Sequence, residues 1–273
     1  MIEKIKYINH INEEVEFGES GIYVNQSNIH DFLWDVVSQN DRISSFKKGI
    51  QDRSLPVVIK CNTEEEGIVI KNKLFEVCEK DVLAVKAGKL VIGDYYFKCY
   101  ITGSSKSEYL INAGYMKTEL AITSDMPYWI KETTSNFDGE SATIGKNLDY
   151  NNDFDYDYSS NMLGTQLVNG NFVPSNFRMI IYGQVSNPEI YIGGHLYSVD
   201  VDIEANEYLT IDSIEKTIEL TRADGTIANC FNLRNRDSYV FEKIPSGVSN
   251  VSTSAAFHFD ITLLDERSEP KWI

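Results

Sequence analysis

Alternation is the dominant pattern in this chain. In Glu3-Lys4-Ile5-Lys6-Tyr7-Ile8, and again in Glu14-Val15-Glu16-Phe17, every second residue is apolar, which is the period of a half-buried strand. Ile22-Tyr23-Val24 and Leu55-Pro56-Val57-Val58-Ile59-Lys60-Cys61 read as further strands. Between them lies a polar stretch carrying Ile29, Phe32, Leu33, Trp34, Val36 and Val37. It fits either a short helix or a loop with an apolar anchor. The period changes once. Thr63 stands at an N-cap position, Glu66 three residues on completes a capping box, and Ile70, Leu74, Val77 and Cys78 follow at helical spacing. One helix is therefore predicted over 63–80, weakened at its start by Gly67 and the β-branched Ile68, Val69 and Ile70. Residues 88–101 then predict a hairpin turning at Gly93-Asp94, with strands near 107–112 and 115–123.

Asp125-Met126-Pro127-Tyr128-Trp129 breaks this pattern, and residues 131–152, rich in Asn, Ser, Thr, Gly and Asp, are the expected linker. Beyond them the chain reads as strand throughout. Asp153-Phe154-Asp155-Tyr156-Asp157-Tyr158 alternates strictly, and Phe177–Val185 is a long apolar strand. Hairpins are predicted around Gly193-Gly194 and Asp224-Gly225, with other strands at 208–211, 238–241 and 256–264. About nine short strands without a helical window predict a β-sandwich or jelly roll. The expected architecture is mainly β: an N-terminal β-rich domain with one helix over 1–133, and a C-terminal sandwich over 134–273.

Composition narrows the partners. With 42% apolar and 24% charged residues in a chain of 273, a packed core is expected. No apolar run is long enough for a spanning helix, and Met1–Lys6 shows no signal-peptide h-region. The net charge is −16, from 25 basic and 41 acidic residues. Such a chain repels phosphate, so neither nucleic acid nor an anionic membrane surface is an expected partner. Residues 1–136 hold 16 bases and 20 acids, a net of −4, whereas 137–273 hold 9 and 21, a net of −12. The four cysteines, Cys61, Cys78, Cys99 and Cys230, lack CxxC spacing and sit among apolar neighbours, so buried thiols are expected.

Catalytic grammar is missing. Asp153, Asp155 and Asp157 suggest a calcium loop, but the sixth and twelfth positions are Tyr158 and Gly164 where Gly and Glu are needed. On an extended strand the three carboxylates would lie about 6.6–6.8 Å apart on one solvated face. His10, His30, His195 and His258 show no HxH or HExxH spacing, and there is no GxSxG, Walker or GxGxxG motif. A glycosidase pair cannot be nominated among 41 acids. The expected protein is a structural or binding module with no catalytic residue, cofactor or metal.

Five features in order carry a resemblance. They are Met126-Pro127-Tyr128-Trp129 at the end of the first domain, Asn187-Pro188-Glu189-Ile190-Tyr191-Ile192 before a hairpin, and Tyr208-Leu209-Thr210-Ile211-Asp212 followed by Lys216-Thr217-Ile218-Glu219-Leu220. Phe241-Glu242-Lys243-Ile244-Pro245-Ser246-Gly247 and the ending Arg267-Ser268-Glu269-Pro270-Lys271-Trp272 complete the set. Their order resembles the distal tail (Dit) proteins of long-tailed phages. The resemblance implies N-terminal domains packed as a hexameric ring around the tail channel, joining the tail tube to the tail-tip protein. It also implies an outward, galectin-like jelly-roll domain that can carry receptor-binding proteins, in a protein made in the host cytoplasm and sited at the virion tail tip. Tail-like bacteriocins use similar parts. A carbohydrate-binding sandwich is the alternative reading, and a hydrolase the third.

A rotationally repeated contact closes into a ring only if the angle fits, and lasting interfaces have apolar centres. Segment 29–37, with Phe32 and Trp34, and the helix, with Leu74, are the candidate contacts; burial in their own domain is the alternative. Trp272 is expected to dock in a groove of its own sandwich or of a neighbour.

Overall fold

A computed structural model describes residues 4–18, 21–24, 27–109, 115–138 and 165–271. The Asp153–Tyr158 alternation, with Asp153, Asp155 and Asp157, lies outside the described residues, as does Trp272. The chain divides into two compact units, Met1–Lys131 with Glu266–Ile273, and Glu132–Asp265. The chain from Glu266 onward thus groups with the first unit, where sequence reading left it in the second domain. Two ten-residue strands, Trp129–Asp138 and His258–Arg267, each run across the division.

The first unit contains β1 (Ile5–Ile8), β2 (Glu14–Phe17), β3 (Ile22–Val24), β4 (Asp35–Gln39), β5 (Arg42–Lys47) and β6 (Gln51–Lys60), then α1 (Glu64–Ala84), then β7 (Gly88–Ile92), β8 (Tyr95–Tyr109), β9 (Tyr115–Ser124) and the start of β10 (Trp129–Asp138). Residues 132–138, expected in a linker, continue that strand. Two antiparallel layers share the long β8. One runs β2-β1-β7-β8-β10 and the other β3-β6-β9-β8. Register shifts at Ile101/Gly103 and Lys106/Glu108 mark bulges, which bend a strand and let it serve two layers. Alternation does the packing: Leu55, Val57 and Ile59 of β6 and Leu120 and Ile122 of β9 are all buried.

Helix α1 closes this core with Leu74, Val77 and Cys78. Thr63 Oγ1 accepts the Glu66 N–H at 3.2 Å, and Glu64, Glu65 and Glu66 complement the N-terminal dipole. The helix runs past the expected Lys80 because Asp81, polar in sequence, points inward and is fully buried. Asp81 accepts from Tyr7 Oη at 2.5 Å and from the His10 N–H at 2.9 Å, and His10 Nδ1 lies 2.5 Å away. This network ties the last helical turn to the β1–β2 connection. The C-cap is Val85, at φ 53°, a left-handed position that a β-branched side chain resists.

The second unit contains β11 (Thr165–Asn169), β12 (Asn176–Tyr182), β13 (Val185–Ser186), β14 (Glu189–Ile192), β15 (His195–Ser198), β16 (Asp202–Ile203), β17 (Tyr208–Asp212), β18 (Thr217–Thr221), β19 (Ile227–Asn229), β20 (Gly247–Thr253) and β21 (His258–Arg267). One sheet is ordered β19-β18-β17-β12-β21 with the end of β10, the other β11-β20-β14-β15. Phe177, Met179, Ile181, Leu209, Ile211, Phe259 and Ile261 from the first face Ile190, Ile192, Leu167 and Val251 from the second in one core. The Gly193-Gly194 hairpin forms as read, both glycines at positive φ. The strand expected at 238–241 does not form. Val240 and Phe241 are buried as turn residues, so burial there reflects packing without a ladder.

Candidate interaction surface

Residues 29–37 form neither a short helix nor a plain loop. Asn28–Trp34 is a strap fastened to β6, and β4 then pairs with β5 as a two-stranded hairpin. The Ser54 N–H donates to Asn28 Oδ1 at 2.7 Å, Gln51 Nε2 donates to the Leu33 carbonyl at 2.6 Å, and Arg53 Nη1 donates to the Ile29 carbonyl. Ile29 drops into the core and anchors the strap. The hairpin turns at Asn40-Asp41, both at positive φ. Apart from half-buried Val37, every hairpin residue is exposed on both faces. Its apolar side chains Val36, Ile43 and Phe46 are 57%, 62% and 56% exposed.

At the foot of the hairpin, Lys48 stands among three rings. Its Nζ lies 4.2 Å from the Tyr128 centroid, 4.9 Å from Trp34 and 5.8 Å from Phe32, and it donates to the Pro127 carbonyl at 3.1 Å. Trp34 meets Tyr128 edge-on at 6.3 Å. Behind this cluster Arg53 is nearly fully buried, its guanidinium 4.2 Å from the Phe97 ring. Burial lowers Arg53 to about 10, and burial with the neighbouring Arg53 charge pushes Lys48 down to about 8. The surface is thus an apolar, aromatic patch with positive charge set into it.

The structure brings Phe32 and Trp34 together on this surface, both exposed. It does not bring Leu74 there. That side chain is fully buried in the first unit's core, because it lies on the helix's inward stripe with Val77 and Cys78, and it offers nothing to a neighbour. The outward face of α1 instead exposes Ile68, Val69 and Leu83. Lys48 and the hairpin carried no signal in the reading of the sequence. The two-residue Asn40-Asp41 turn was the available clue.

Among the described residues no group of three or more His, Cys, Asp or Glu side chains is placed to hold a metal ion. The four cysteines are unbridged, and burial pushes Cys78 up to about 12 and Cys99 higher still, holding both as thiols. His10 serves Asp81, His30 stacks on Trp129 at 5.9 Å, His195 lies 3.0 Å from the Tyr239 carbonyl, and exposed His258 pairs with Asp138.

No family model and no curated protein matches the sequence. Solved structures do. A chain of the phage P2 baseplate, solved in its activated conformation with Ca, superposes with a TM-score of 0.64 at 12% identity, over 99% of this chain and 100% of that one. The phage p2 baseplate solved in its activated conformation with Sr gives the same values. The SPP1 Dit protein, a hub adsorption component of a phage infecting Gram-positive bacteria, superposes at 0.58 with 8% identity, over 97% of this chain and 99% of that one. The chain has a Dit-like fold. The Dit-like fold spans both units. At 8–12% identity it is carried by backbone architecture, not by shared side chains, so each residue's role has to be argued from this chain.

Proposed function

We propose that this chain is a non-enzymatic structural protein of a phage tail tip. Copies close into a hexameric ring that joins the tail tube to the tail-tip protein, and the second unit, a galectin-like module, faces outward to carry receptor-binding proteins. The observation that carries this reading is the end-to-end likeness to baseplate and hub proteins, 97–99% of this chain against 99–100% of theirs. The first unit supplies the ring contact. A lone two-stranded hairpin is marginal in water, and one exposing Val36, Ile43 and Phe46 beside Phe32 and Trp34 calls for a covering surface. A heterologous contact of this kind, repeated by a rotation that closes, generates a ring. Light scattering of the full-length chain, with negative-stain imaging, tests the proposal. Six-membered rings are the expected outcome. A strict monomer at high concentration, both alone and beside the tail-tube protein, refutes the ring.

A further inference from the structure

We infer that Lys48 is the charged anchor of the self-contact, its ammonium taking an Asp or Glu carboxylate from a second copy of this chain. The inference rests on the ring reading and names the chemistry of its contact. A lysine ammonium has three N–H donors. Lys48 spends one on the Pro127 carbonyl, and no carboxylate of the described residues pairs with it. Lys48 is half-buried, and two of the rings beside its ammonium, Phe32 and Trp34, are 48% and 39% exposed, so the cluster borders solvent. Buried Arg53 sets a second positive charge close to Lys48, offset in part by Asp31, and their mutual repulsion favours a carboxylate beside Lys48.

Charge complementarity points to a copy of the same chain. Residues 1–136, the half that supplies the ring contact, hold 20 acids against 16 bases, so a neighbour offers more carboxylates than cations there. The setting suits a strong pair. Phe46 and Ile50, each two residues from Lys48 along the chain, are 56% and 72% exposed, and a partner covering them and the rings would exclude water from the pair. An interfacial ion pair enclosed by apolar side chains contributes to register and slows dissociation, whereas one at a wet rim contributes little. Burial that disfavours the lone cation is offset when a carboxylate arrives, so assembly and ion pairing reinforce each other.

Full-length chain mixed from ¹⁵N-labelled and unlabelled protein is assembled and treated with a carbodiimide, which joins an amine to a contacting carboxylate. Mass spectrometry should find Lys48 joined to an Asp or Glu peptide of the opposite isotope label. In sedimentation, Lys48→Met keeps the aliphatic stem but weakens self-association at least tenfold. Lys48→Arg, still cationic, stays within threefold of wild type, and unchanged thermal melts confirm that both variants fold. Two results overturn the inference while the ring stands: wild type and Lys48→Met assemble equally, or Lys48 joins only carboxylates of its own copy. A wild-type chain that never assembles defeats the ring reading first, and this inference with it.

Discussion

Replacing Asp81 by alanine tests what holds the first unit together. The carboxylate is fully buried and accepts from Tyr7 Oη and from both the backbone and the imidazole of His10, at 2.5, 2.9 and 2.5 Å. Tyr7 is itself fully buried, and its next acceptor is the Cys99 carbonyl at a poorer 3.4 Å. Each hydrogen bond to a charged group contributes about 1.5–3 kcal/mol, but the carboxylate's own desolvation cost disappears with it, so the three do not add. Breaking a buried pair by removing one partner costs about 3–5 kcal/mol, and that is the expected loss. Asp81→Asn keeps an acceptor for the His10 N–H but makes a poor partner for Tyr7, and should cost about half as much. The exposed Lys131–Asp94 pair is the control; Asp94→Ala should cost less than about 1 kcal/mol. Urea unfolding read by tryptophan fluorescence suits this purpose, since Trp34 and Trp129 both lie in the first unit. An Asp81→Ala chain within about 1 kcal/mol of wild type would refute the claim that this network fastens the helix end to the β1–β2 connection.

Three further outcomes are expected. Val85→Gly relieves the left-handed C-cap of α1 and should raise stability by about 0.5–1 kcal/mol in the same urea assay. Burial, reinforced by Cys99 and Asp81, raises Tyr7 far above the ordinary phenol value, and burial raises Cys78 to about 12. The folded state therefore holds these protons more tightly than the unfolded chain. The stability they contribute is complete below about pH 8.5 and declines as the pH rises through the thiol and phenol values of the unfolded chain. Tyr7→Phe should flatten the steeper part of that decline, above about pH 10, in pH-dependent melts. Gly183→Ala would drive a methyl group into the backbone carbonyl of Glu204, and should cost the second unit about 2–3 kcal/mol in thermal unfolding followed by circular dichroism.

Local grammar exposed the helix and most of the sandwich. Thr63 and Glu66 mark the start of α1, and Ile70, Leu74, Val77 and Cys78 its inward stripe. Its last turn was hidden because Asp81 reads as solvent-facing until Tyr7 and His10, over seventy residues away, are seen to satisfy it. The β4–β5 hairpin escaped for a different reason. Strand periodicity is a signature of one buried face, and this hairpin has none; a register shift between Val37 and Ser38 also breaks its alternation. The rings around Lys48 come from positions 32, 34 and 128, a convergence that no window along the chain displays. Ser238–Phe241 shows the opposite case, since Val240 and Phe241 suggest a strand where they only fill the core from a turn.

The hairpin's independence from either core bears on how such a protein changes over time. None of the side chains in 35–47 belongs to a buried cluster, so substitutions there escape the packing constraints that bind Leu55 or Phe177. Drift in this stretch answers to whatever surface it meets. Transplanting these thirteen residues between homologous scaffolds should transfer assembly preference while leaving each recipient's folding untouched.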